Sequence, residues 1–183
     1  LYNALDEAQR VVWHEAVGQT LESIYHPKLP QVAIQLAYHF RAAGNTDKAV
    51  RYILLIGQQA GRLAAAGEAL THLENGLQLL HTLPHSAGRD AQELDFQIAL
   101  GNALIIAQGY TSPAAGRAYA QARTLCFQLE NPPQLFPVLY GSWVYHHVRA
   151  EHEAARELGN EWLELAAKAA DTASAGKQVS FIR

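Results

Sequence analysis

Apolar residues recur along this chain at helical intervals: Leu70, Leu73, Leu77 and Leu80 fall three or four apart and share one face. No sustained period-two alternation appears. Runs rich in Val, Ile and Thr are nearly absent, while Ala, Leu, Gln, Glu and Arg dominate. Breakers interrupt the pattern at His26-Pro27 through Pro30, Gly44-Asn45-Thr46, Gly67, Leu83-Pro84 to Gly88, Gly109 to Pro113, Asn131-Pro132-Pro133 and Asp171-Thr172. Each supplies residues that stop one helix and cap the next; Ser112 offers a hydroxyl cap to a helix with Pro113 in its first turn. The spacing predicts eight helices, over about 5–25, 30–43, 46–64, 67–82, 89–108, 113–129, 134–148 and 151–169. Short loops predict antiparallel neighbours. Pro137, in the second turn of the seventh helix, predicts a late start or a slight kink. The last dozen residues predict the start of a ninth helix cut short. The expected fold is all-α.

Large and small residues also recur at fixed offsets. From Ile34 to Ile56 the chain runs Leu36-Ala37, Phe40, Gly44, Ala49, Ile53 and Ile56. Ala37 and Ala49 would let two helices approach, while Leu36, Phe40 and Ile53 fill the flanks. Later units read Ala69, Leu73, Gly76, Leu80, then Leu100-Gly101, Leu104, Gly109, Ala115, Tyr119, Ala122, then Leu139, Trp143, His146, Ala150, Ala155, Trp162. This pattern resembles the tetratricopeptide repeat over about residues 30–170. Twenty residues separate Ala49 from Ala69, against ~34 in that family, which implies that one long helix near 46–64 serves two units. Ala33 stands where the consensus tryptophan would. The resemblance implies a right-handed solenoid of antiparallel helix pairs, degenerate in sequence.

A narrower resemblance rests on Leu36-Ala37-Tyr38-His39-Phe40-Arg41-Ala42-Ala43-Gly44, Ala49-Val50-Arg51-Tyr52, and Ala69-Leu70-Thr71-His72-Leu73-Glu74-Asn75-Gly76-Leu77 before Leu83-Pro84. It continues in Gly109-Tyr110 to Pro113, Arg117-Ala118-Tyr119-Ala120-Gln121-Ala122 and Gln134-Leu135-Phe136-Pro137. Together these are similar to the helical repeat region that follows the nucleotide-binding module of large bacterial signal-transduction ATPases, of the cyclase-linked or transcriptional-regulator type. The resemblance implies that residues 1–28 form a linker helix from an upstream module, 29–171 the repeats and 172–183 the start of a further helix. A chain that opens at Leu1 and lacks methionine is expected to be a piece of a longer protein.

Composition narrows the partner. The 183 residues carry 14 Lys+Arg against 17 Asp+Glu, a net charge of -3. Phosphate binding rewards a clustered positive excess, so nucleic acid is not an expected partner. Hydrophobic residues at 49% with charged residues at 17% are expected of a folded chain. Apolar stretches such as Ala103 to Ala107 fall far short of the ~20 residues a membrane span needs. No secretory leader pattern appears, and the single Cys126 among apolar neighbours fits a buried thiol and a reducing cytoplasm.

Catalytic and metal chemistry is not expected. Gly57 and Gly61 lie inside a predicted helix, so they do not form a phosphate loop. His14-Glu15 lacks the second histidine of a zinc helix, and Pro84 separates His81 from His85. His147 and Glu151 would share a face only if a helix ran through Arg149-Ala150, where a turn is predicted. Neither Glu161 with Glu164 nor the cap serines Ser86 and Ser112 converge with a base. No cofactor and no enzymatic activity are expected.

What remains is a surface. The resemblance to stacked helix pairs implies an inward face carrying Tyr38 and Arg41, then Gln58 and Arg62, then Asn102 and Ile105, then Tyr140 and His147. Trp143 and Trp162 are expected to be packing anchors. The expectation is a non-enzymatic interaction or sensor scaffold. It would bind a protein or peptide segment, another domain of the parent chain included. A small-molecule sensor with an inter-helix pocket and a self-association domain are the alternatives, and the oligomeric state is open.

Overall fold

A computed structural model describes residues 6–130 and 133–180, with side chains as far as Lys168. Among the described residues eight α-helices follow one another: α1 Glu7–Ile24, α2 Ala33–Ala42, α3 Thr46–Arg62, α4 Ala66–Leu80, α5 Ala87–Gln108, α6 Pro113–Gln128, α7 Leu135–Val148 and α8 His152–Ser180. A 3-10 segment, His26–Val32, joins α1 to α2. Among the described residues there is no strand. The chain is all-α.

Local chemistry places the helix starts. The Asp6 carboxylate accepts from the Gln9 N–H at 2.7 Å while the Gln9 side chain accepts from the Asp6 N–H, a reciprocal capping box. Asn45, Ser86 and Ser112 cap α3, α5 and α6 through the N–H groups of Lys48, Arg89 and Ala115. The turn after α3 differs from expectation. It falls at residues 63–65, where Ala64 takes φ +58°, and Gly67 lies inside α4. Ala64 closes the turn without a glycine because the left-handed conformation costs an L residue only about 1–2 kcal/mol. Pro137 causes no late start, because α7 begins at Leu135 and the proline falls in the first turn, where its missing N–H has no partner to lose. The expected break at Asp171-Thr172 is also absent, since α8 continues to Ser180. That dipeptide holds neither Gly nor Pro, and its propensity penalty is small. Residues 1–5, 131–132 and 181–183, on which part of the first helix, part of one breaker and the end of the further helix were expected, lie outside the described residues.

Each helix packs on its predecessor and its successor, and α3 also packs against α5. The core follows this order. Phe40 of α2 stacks on Tyr52 of α3 with ring centroids 5.7 Å apart. Leu73, Leu77 and Phe96 continue it between α4 and α5, and Leu94, Leu125, Leu139 and Leu158 carry it to α8. Small residues open the space. A Cβ on Gly57 would lie 2.6 Å from Leu73, one on Gly116 2.5 Å from the Tyr145 ring, and one on Gly141 against the Tyr119 ring.

The first helix is held by polar contacts more than by burial. Only His14 and Gly18 of α1 are buried. His14 and His39 share a hydrogen bond between their Nδ1 atoms at 2.9 Å, so at least one ring must accept and stay neutral. Glu22 receives Lys48 at 2.6 Å and the Tyr52 hydroxyl, joining α1 to α3. Burial alone would raise the Glu22 pKa, but those two hydrogen bonds, with the charges of Lys48 and Arg51, hold it below the usual carboxylate value.

Two expectations follow from this packing. Gly141→Ala should destabilise by about 1–3 kcal/mol, because the Tyr119 ring cannot retreat. Gly61→Ala, with nothing within 4 Å of its Cβ, should stabilise by about 0.5–1 kcal/mol. Denaturant unfolding of both variants measures the contrast. Burial first, and then the His14 charge, lowers the His39 pKa below 6.5. The unfolded chain therefore takes up protons first on acidification. The His39 contribution to stability is whole above about pH 6.5 and is lost as pH falls through the folded value. Melting curves from about pH 7.5 to 5 should fall in wild type and fall less in His39→Gln.

Candidate interaction surface

The face shared by α3 and α5 is open to solvent. Along α3, Arg51, Gln58 and Arg62 recur at offsets of seven and four; along α5, Asp95, Asn102 and Ile106 do the same. Because α3 and α5 touch, with the Gln92 Nε2 donating to Asp47 Oδ1 at 2.7 Å across them, these two rows border a common depression. One cleft of about 420 Å³ lies between α3, α5 and the start of α7, lined by Gln58, Arg62, Asp95, Asn102, Ile106, Gln134 and Pro137 among others. A second, of about 440 Å³, lies between α3 and the 3-10 segment, lined by Pro27, Leu29, Arg51, Leu55, Gln58 and Asp95 among others. Gln58 and Asp95 line both, so the two form one run.

Neighbours set the chemistry of these groups. Asp95 is half-buried, and Gln134 Nε2 reaches it at 3.4 Å. Burial raises its pKa above the usual carboxylate value, and the Gln134 contact opposes that only in part. Asn102 Oδ1 accepts from the Tyr119 hydroxyl at 2.8 Å, which leaves its NH2 to donate into the cleft. The Tyr119 phenol is pushed up to about 12 by burial and by Tyr110, so it stays a donor.

Of the residues expected on an inward face, Gln58, Arg62 and Asn102 meet in the first cleft. Ile105 does not join them. It packs against Leu104, Ala115 and Ala118, and Ile106, one residue on, lines the cleft instead. Tyr38 lies apart, exposed beside His14 of α1 with ring centroids 5.6 Å away, and Arg41 is exposed on α2. Tyr140 and His147 join a third group: Tyr140 packs on Trp143 and Trp162 at 6.4 and 5.7 Å, and His147 stacks on Trp143 at 4.8 Å. Asp95 and Gln134 are cleft residues that the sequence reading misses. Asp95 is signalled by its offset of seven from Asn102, whereas Gln134 reaches the cleft only through the packing of α7.

Other polar groups are internally engaged. His146 Nδ1 and the Arg149 guanidinium both bind Glu151, at 2.6 and 2.7 Å. The Arg149 and His146 hydrogen bonds lower the Glu151 pKa against a small opposing burial effect. Arg89 and Glu93 pair at 3.4 Å at the start of α5, with His85 on the arginine and His81 on the glutamate. Cys126 is buried, and burial pushes its thiol up to about 11, away from nucleophilic use. Among the described residues no three His, Cys, Asp or Glu side chains gather as a metal set, and no helix is long and apolar enough to cross a membrane. No family model, curated protein or solved structure matches the chain.

Trp143 and Trp162 are half-buried, so each anchors less than a fully enclosed ring. Trp143→Ala should cost about 2 kcal/mol, below the ~3–5 of complete burial. Tyr140→Ala, with the ring 52% exposed, should cost under about 1 kcal/mol. Thermal melts of the two variants give the comparison.

Proposed function

We propose that this chain is a non-enzymatic interaction module that holds a protein or peptide segment along the α3–α5 cleft. The observation that carries the reading is the continuity of the two clefts through Gln58 and Asp95, on helices that pack in sequence. Carboxamides suit an extended backbone because each offers both donors and an acceptor. Apolar side chains such as Ile106 and Leu55 sit between them to take alternate side chains. Successive packing of helices across short turns supports a degenerate tetratricopeptide-like solenoid, whose inner helices would be α3, α5 and α7. On the resemblance given above, the parent would be a bacterial signalling ATPase or transcriptional regulator acting in the cytoplasm. Occupancy of the cleft would then bias helix packing toward the upstream module.

A photo-crosslinking amino acid at Gln58, compared with one at the exposed outer position Gln121 of α6, tests the reading in cell extract. Adducts mapped by mass spectrometry should form at the cleft position and be lost in Arg62→Ala, whose melting temperature should stay within about 2 °C of wild type. Equal capture from Gln121, or none from Gln58, would sink it.

A further inference from the structure

The charges of the cleft are ordered, and that order describes the segment it takes. Arg51 lines one cleft, Arg62 the other, and Asp95 both. Along the run the sequence of charge is therefore positive, negative, positive. Both arginines are exposed, and among the described residues neither makes an ion pair. Arg51 acts on Glu22 through its charge, but that carboxylate takes its hydrogen bonds from Lys48 and Tyr52. Among the described residues Asp95 has only the long Gln134 contact at 3.4 Å. A half-buried carboxylate so thinly supported gains more from an arriving cation than a solvated one does.

We infer that the cleft selects an extended segment with a central lysine or arginine at Asp95 and an acidic residue on either side, at Arg51 and Arg62. Eleven residues of α3 separate the two arginines, about 16 Å at 1.5 Å per residue. An extended peptide rises about 3.3 Å per residue, so the two acidic residues stand about five positions apart with the basic residue between them. This rests on the peptide-binding reading of the cleft and adds the charge order to it. The reverse pattern, basic–acidic–basic, sets like charges against each other at all three positions and is rejected.

The test uses two fluorescein-labelled octapeptides with blocked ends, Ser-Glu-Ser-Lys-Ser-Ser-Glu-Ser and its swap Ser-Lys-Ser-Glu-Ser-Ser-Lys-Ser, read by fluorescence anisotropy at low salt. The first should bind at least about tenfold more tightly than the second. The preference should shrink as salt rises, because the outer pairs are exposed. Asp95→Asn should abolish most of the tenfold difference, and Arg51→Gln or Arg62→Gln should each weaken the first peptide about threefold. Replacing the peptide's lysine with glutamine makes the same cut from the ligand's side in unaltered protein, so the result does not depend on the Asp95 variant folding. Equal binding of both peptides, or indifference to Asp95→Asn and to the lysine swap, overturns the charge order. If neither octapeptide binds while crosslinking from Gln58 still captures a segment, the charge order falls and the peptide-binding reading stands. If crosslinking fails as well, both fall.

Discussion

A ring or branched side chain seated on a glycine of a neighbouring helix is the contact on which the rest of this packing depends. Phe40 of α2 sits on Gly18 of α1, Leu73 of α4 on Gly57 of α3, Phe96 of α5 on Gly76 of α4, and Tyr145 of α7 on Gly116 of α6. Helix axes normally lie about 8–10 Å apart, with the side chains at the crossing setting the value. Removing the Cβ on one side lets a large group on the other fill the crossing without a void. Each such seat fixes how two helices lie, and the α3–α4 and α4–α5 seats share α4. Where seats share a helix, the orientation set at one carries to the next.

The cleft inherits its rigidity from one of these seats. Tyr119 of α6 lies between Gly101 of α5 and Gly141 of α7, so a single ring keys three helices together. Its hydroxyl then holds Asn102 on the cleft wall. Asn102 is thus preorganised by the Tyr119 ring packed beside it, while Arg51 and Arg62 are exposed on α3. A preset amide with exposed charges at either side costs a ligand little ordering in the middle and more at the ends.

Helix limits are legible in this sequence because the capping residues are local. Ser86, Ser112, Asn45 and Gly109 act on backbone groups within a few positions, and no distant residue can countermand them. Misplaced boundaries arise where the cause is not local. The turn at 63–65 is imposed on Ala64 by the packing of α3 and α4, and Gly67, which reads as a breaker, is absorbed into a helix. The site is legible only where it repeats along one helix. Gln58 with Arg62, and Asn102 with Asp95, share faces by spacing alone. Gln134 depends on where α7 lands, and the choice between Ile105 and Ile106 depends on about 100° of rotation about α5. Tyr38 falls on another side because α1 packs against α2 and the His14–His39 bond occupies that flank.

Packing between chain neighbours also governs how the molecule assembles and comes apart. Helices that touch mainly their immediate predecessors close short loops, so most native contacts form without bringing distant segments together. Low contact order of this kind goes with folding in microseconds to milliseconds. It also removes the shared central core that would make all helices yield at once. Pulled from its two ends, such a chain should shed α1 first, since a few polar contacts and little buried surface hold it, and then lose helices singly or in pairs. A partner seated across α3, α5 and the head of α7 would bridge three of those steps and turn a staircase of small ruptures into one larger event.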